Sequence, residues 1–176
     1  MTTAPGQDIG STGLRAVARC IDLAIQVLIM ELAFRVSTFL PAEGLLSLSE
    51  AALVPLDIAV GLTAFVVYLT LSEYRGGATF GKFCADLRVV GAQGTPLTLR
   101  AALIRNLALP LDLFLFGLVA YSAMSRSERR QRVGDHWAAT IVVRRGDTPR
   151  AKGLRGWPVA ALVSVALVLM SYVIAK

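Results

Sequence analysis

Nineteen consecutive residues, Trp157 to Ala175, contain no charged side chain. About 20 helical residues cover the roughly 30 Å hydrocarbon core of a bilayer. Trp157 and Tyr172, near the ends of the run, match the aromatic belts of a membrane interface, so this run is expected to span. Ala51 to Leu71 is a second such run, and Arg15 to Leu40 a third of sufficient length, preceded by Ser11, Thr12 and Gly13 as capping residues. A fourth, Leu97 to Met124, is interrupted around Asn106 to Pro110. At 55% hydrophobic residues and a mean hydropathy of +0.62, the chain is more apolar than a soluble domain requires. The expected fold class is an all-α membrane protein, a small bundle of three to four transmembrane helices with a small strand-containing cap on the cytoplasmic side.

Charge sets the orientation. The 18 Lys and Arg give a net charge of +6, and they sit beside apolar runs as the positive-inside rule expects. That points to anionic lipid headgroups as the partner, not to nucleic acid. Pro41 to Glu50 is acidic, with Glu43 and Glu50 and no Lys or Arg, whereas the loop after the second run holds Arg75, Lys82, Arg88 and Arg100. The first two runs therefore read as a hairpin with its basic end in the cytoplasm. Residues 1–14 form a tail with Asp8 and no basic residue, so no cleavable signal is expected.

The third stretch creates a conflict. A simple crossing would carry Arg126, Arg129, Arg130, Arg132, Arg144 and Arg145 outside. Two readings stay open: a true span, or a re-entrant pair of half-helices broken at Pro110, where the freed carbonyls need protein or water partners. The domain plan is then a tail (1–14), a membrane domain (15–145), a basic linker (146–156) and an additional C-terminal transmembrane helix (157–176). Leu87 to Val90 and Thr95 to Leu99 around Gly91 to Gly94 read as a hairpin, with Thr140 to Arg144 as a third strand.

Ionisable groups inside spans are the main functional signal. Arg15, Arg19, Asp22 and Gln26 fall within about 60° of one another on a helix. An ionised Asp near the bilayer centre costs roughly 2.5–3.5 kcal/mol, so Asp22 is expected to pair, with Arg19 three residues away in reach. Glu31 and Arg35 form a second i,i+4 pair. Asp57 lies inside the second run, and Arg105 and Asp112 in the third repeat the spacing of Arg15 and Asp22. The plain structural reading is interface anchoring and helix pinning. The functional one is a polar cavity lined by Arg19, Asp57, Arg105 and Asp112.

Other signals are decoys. Gly76 to Lys82 satisfies part of a phosphate-loop pattern, but Phe83 stands where a Ser or Thr would hold magnesium, and a span precedes it instead of a strand. Gly81 and Lys82 read instead as a turn facing lipid phosphates. Cys20, Cys84 and the single His136 make neither a disulfide framework nor a metal site. No nucleophile and base stand together, so no enzyme and no cofactor are expected.

Gly13 to Asp22, then Gly77 to Lys82 with Leu87 to Val90, then Gln131 to Val143 resemble, in that order, the motifs of the RDD family of bacterial membrane proteins. The resemblance covers residues 13–145. It places the naming Arg and two Asp on Arg15, Asp22 and Asp135, and implies an inner-membrane protein for which transport of an ion or small ligand is the usual suggestion. Ala78, where Gln is frequent, and His136 with Trp137 after the Asp depart from the commoner pattern. With the family residues in place, Asp135 is expected to fold back on Arg15 or Arg19 and close a cavity containing Asp22 and Asp112, with Asp22 exchanging a proton. The alternative is an accessory or assembly factor that binds other membrane proteins. A homo-oligomer fits either reading.

Overall fold

The computed structural model describes residues 9–42, 49–113, 117–147 and 156–174. Ser11 starts the first helix, α1 (Thr12–Ala42): its hydroxyl accepts from the Leu14 N–H at 3.3 Å and its carbonyl from Arg15 at 3.1 Å. Helix α2 (Glu50–Gly76) carries Pro55 in its second turn, where the ring removes one ladder N–H, and closes with the Gly77 N–H on the Glu73 carbonyl. Short α3 (Phe80–Cys84) is capped by Thr79, whose hydroxyl accepts from Lys82 N–H. Glu43, in the expected acidic turn, and most of the basic linker lie outside the described residues.

Strand β1 (Leu87–Gly91) follows and pairs antiparallel with β2 (Thr140–Arg144), Val89 opposite Val142. Ile9 bridges Val143, and the Gly10 N–H donates to the Val142 carbonyl at 3.0 Å, so the end of the tail joins the sheet. The expected strand at Thr95 to Leu99 is not formed. Gly91 N–H reaches the Thr95 carbonyl at 2.9 Å, but Pro96 offers no ladder donor, and Thr98 instead caps α4 through Ala101 N–H at 3.2 Å. The expected turn exists, and β1 takes β2 as its partner.

The stretch from Leu97 to Met124 is broken into α4 (Leu99–Leu107), α5 (Leu109–Leu113) and α6 (Leu118–Arg126), each far shorter than a span. Their outer faces are apolar and exposed at Leu103, Leu107, Leu111, Leu118 and Tyr121. Helix α7 (Val133–Trp137) leads into β2.

The last helix, α8 (Gly156–Ile174), packs most extensively on α2. A Cβ at Gly156 would lie 2.8 Å from the Ser72 carbonyl oxygen, so the backbones touch at the C-terminal end of α2. Further along, the Ser164 hydroxyl donates to the Ala64 carbonyl at 2.8 Å. The two helices therefore run antiparallel. Their apolar contacts with α1 form one core around Ile29, Ala33, Phe65, Tyr68, Leu69, Ala160 and Val168. Among the described residues one helix, Ala51–Gly76, is long and apolar enough to cross a membrane, with a mean hydropathy of 2.1. Helix α1 has the length, about 46 Å for its 31 residues, but charged side chains interrupt it.

Candidate functional site

Charged side chains converge where the start of α1, the end of α2, α3, α4 and α7 meet. Glu73, in the last turn of α2, is fully buried and receives Lys82 Nζ at 2.8 Å, Arg105 Nε at 3.3 Å and Asn106 Nδ2 at 3.1 Å. Arg105, also fully buried, reaches across to Asp135 through Nη2 at 3.1 Å. Asp135 has no exposed surface and gathers three guanidiniums: Arg15 Nη2 at 2.5 Å, Arg105, and Arg132 Nε at 3.7 Å. It also accepts from the Arg132 backbone N–H at 3.1 Å, capping α7. Arg15 donates further to the Arg130 carbonyl, and Arg132 Nε lies 3.5 Å from Asp112. Glu73 and Asp135 thus tie five segments into one network.

Burial alone would raise the Asp135 carboxyl, but Arg105, Arg132 and Arg15, in that order, hold it well below the usual carboxylate range. Burial also lowers the Arg132 guanidinium, and Asp135 and Asp112 overcome it, for a net rise. For Lys82 burial prevails against the pull of Glu73, and its ammonium is lowered.

Asp22 is held differently from the expectation. Its carboxylate accepts from the Thr79 hydroxyl at 2.6 Å and the Gly81 N–H at 3.0 Å; Arg19 is not its partner. A Cβ at Gly81 would press on the Ala18 carbonyl and sit 2.9 Å from Asp22 Cγ, so only glycine lets α3 approach α1 this closely. Asp22 is a fastener between α1 and α3. Lys82 departs from the lipid-facing expectation as well: the short α3 turns it inward to Glu73, which compensates its buried charge. The Glu31–Arg35 pair forms on the exposed far part of α1 at 2.8 Å. Asp57 is buried in α2, but sixteen residues, about 24 Å of helix, separate it from Glu73, and it takes no part in the network.

Between α1 and α6 lies a cavity of about 330 Å³. Arg15, Arg19, Lys82, Arg105, Asn106, Asp112 and Arg132 contribute its polar lining, and Leu23, Leu109, Ala120, Tyr121 and Met124 its apolar walls. Asp22 and Asp57 do not line it. Arg19 spreads over the Phe65 ring at 5.5 Å, with Nε and Nη2 buried and without a hydrogen-bond partner among the described residues. Arg105 Nη1 is likewise without a hydrogen-bond partner among the described residues. Among the described residues no cluster of His, Cys, Asp and Glu could hold a metal.

Sequence reasoning missed Glu73, Asn106, Arg132 and Thr79. Arg132 could have been found from its position three residues before Asp135, the spacing of a helix cap and its carboxylate. Glu73, near Arg75 at the end of the second apolar run, stands in no motif that would have marked it.

A mostly helical bundle with an apolar spanning helix and a buried charge network at one end defines a small α-helical membrane protein. The model of the RDD family matches residues 9–139, and the chain belongs to that family. That match takes in Arg15, Asp22 and Asp135 and leaves α8 outside. No curated protein and no solved structure matches the chain.

Proposed function

We propose that the chain is a multi-pass inner-membrane protein, not an enzyme, that carries a small anionic ligand through the polar cavity at the cytoplasmic end of its bundle. The observation supporting this reading is the cavity's lining. Arg15, Arg19, Lys82, Arg105 and Arg132 face it with Asp112 as the acid, and buried nitrogens of Arg19 and Arg105 there have no hydrogen-bond partner. Positive groups in a weakly screened interior attract an anion far more strongly than they would in water, and unsatisfied buried donors gain most from an acceptor. In this topology α1, α2 and α8 cross, while α4 to α6 dip into the inner leaflet and return.

The test is transfer across proteoliposomes, with radiolabelled inorganic phosphate and a fluorescent phosphatidic acid as probes. The wild-type chain moves at least one of them, and Arg19→Gln slows that transfer by about tenfold, equivalent to losing one charge-assisted hydrogen bond. Arg35→Gln, on the exposed pair at the other end of α1, leaves the rate unchanged. A wild-type protein that moves neither probe above empty vesicles ends the proposal.

A further inference from the structure

The cavity is chemically two-sided. Its charged groups lie toward the network with Thr12 and Asn106, and apolar lining comes from Leu23 on α1, Leu109 on α5, and Ala120, Tyr121 and Met124 on α6. A site built for a small hydrated ion would carry polar groups around its whole circumference, because an ion must exchange its complete water shell for ligands. This lining instead solvates charge at one end and hydrocarbon at the other.

Lateral access is built in. Helix α1 packs on α2, α3 and α8, and α6 packs on α5 and α7, so the cavity occupies the gap between α1 and α6. Two of the residues lining that gap are themselves exposed and largely apolar: Cys20 on α1 and Tyr121 on α6. An apolar surface of this kind on a membrane bundle faces lipid. The gap therefore opens toward acyl chains while its charged end opens toward headgroups.

Resting on the reading of the cavity as an anion site, we propose that its ligand is an anionic amphiphile of the inner leaflet, a phosphate-bearing lipid. The headgroup docks on Arg19 with Arg105 and Arg132 behind it, and the chain lies between α1 and α6 against Leu23, Ala120 and Tyr121. Charge complementarity selects the occupant. Arg19 has no ion-pair partner among the described residues, and Asp22, one turn away, is held by Thr79 and Gly81. The cations Arg15, Arg19, Lys82, Arg105 and Arg132 outnumber the acids Asp22, Glu73, Asp112 and Asp135 at this end, and Arg19 is the cation placed to take a ligand phosphate. Zwitterionic lipid would bring a cationic amine into the same lining and gain less.

The full chain in phosphatidylcholine nanodiscs provides the test. Spin-labelled phosphatidic acid is titrated against spin-labelled phosphatidylcholine, and the motionally restricted fraction is read by electron paramagnetic resonance; binding of radiolabelled inorganic phosphate is measured in parallel. The wild-type chain holds phosphatidic acid in preference to phosphatidylcholine by about tenfold or more. Arg19→Gln removes the preference. Ala120→Trp fills the apolar wall, leaves the charged end intact and also removes it, while any binding of free phosphate persists; native-like circular dichroism and melting establish that both variants fold. If inorganic phosphate binds in an Arg19-dependent way and phosphatidic acid shows no preference, the ligand is a water-soluble anion, and the lipid assignment falls while the anion site stands. If neither probe binds, both fall.

Discussion

Replacing Asp135 by Ala tests the architecture at its most connected point. The carboxylate has no exposed surface and faces Arg15 at 2.5 Å, Arg105 at 3.1 Å and Arg132 at 3.7 Å. Removing it leaves Arg105 fully buried and Arg15 nearly so, each short of one counter-charge, and strips α7 of its cap. Breaking a buried ion pair from one side costs about 3–5 kcal/mol, because an uncompensated charge remains, and the lost cap adds about 1 kcal/mol. Reversible unfolding in mixed micelles, followed by circular dichroism, should show the equilibrium shifted by at least roughly two powers of ten. Asp135→Asn retains an oxygen to cap α7 and should recover only that smaller part. The double variant Asp135→Asn with Arg105→Met removes one charge of each sign and should regain stability over either charge-unbalanced form. A loss below about 1 kcal/mol for Asp135→Ala, the range of an exposed surface pair, would refute the reasoning.

The same carboxylate gives a pH signature. Its folded value is depressed, so its stabilisation is fully present above the unfolded value of about 3.9 and is lost as pH falls toward the folded value; unfolding titrations of Asp135→Asn should show a shallower acid slope than wild type. Gly81→Ala should cost about 1–3 kcal/mol by overpacking, because its Cβ would meet the Ala18 carbonyl and Asp22; Gly13→Ala, where nothing lies within 4 Å of the added atom, is the control, and equal melting of the two variants contradicts the packing. Thr79→Ala should lose about 1–3 kcal/mol by leaving the buried Asp22 oxygen short of a donor, and Thr79→Ser should restore most of it in the same melting assay. For the membrane topology, cysteines at Ser127 and at the C-terminal Lys176, in a chain lacking Cys20 and Cys84, should be labelled from opposite faces of oriented vesicles. Labelling of both from one face contradicts three crossings.

What could be read in the sequence were the properties a bilayer imposes on every residue of a segment. The length and apolarity of α2 and α8 are visible residue by residue, and so is a break near Asn106 to Pro110, which falls at Ala108 between α4 and α5. The partners of the charges were harder to read. Arg15 and Asp135 are 120 residues apart, and no periodicity joins them; the expectation that Asp135 folds back on Arg15 came through the family motifs, and the fold makes that ion pair. Asp22 was misassigned to Arg19 because helical spacing permits i,i+3 contact, yet spacing cannot weigh a local partner against a donor delivered by another element. Thr79 and Gly81 win because α3 delivers two donors to the carboxylate while Arg19 lies over the Phe65 ring. Lys82 was misread for a related reason: a basic residue in a surface loop normally faces headgroups, but here Glu73 on α2 offers a counter-charge inside.

The echo between Arg15–Asp22 and Arg105–Asp112 is resolved by what each residue touches. Arg15 and Arg105 do share a partner, Asp135, but the two acids diverge: Asp22 fastens α3, and Asp112 faces the cavity. The spacing therefore marks no equivalent half-sites. A parity argument connects this geometry to the membrane. Helix α8 starts beside the end of α2, so the chain between them must cross an even number of times. Helices of nine, five and nine residues are too short for two crossings of a core about 30 Å thick. On the proposed topology the chain between them makes no net crossing, and Arg126 to Arg145 would share a face with Arg75 and Lys82, as the charge rule expects. That topology would hold the backbone bend at Ala108 to Pro110 at membrane depth, where backbone of this kind is tolerated only against protein or a water-filled space. Asn106, Asp112 and the cavity beside them provide that environment, so the topology and the site depend on one another.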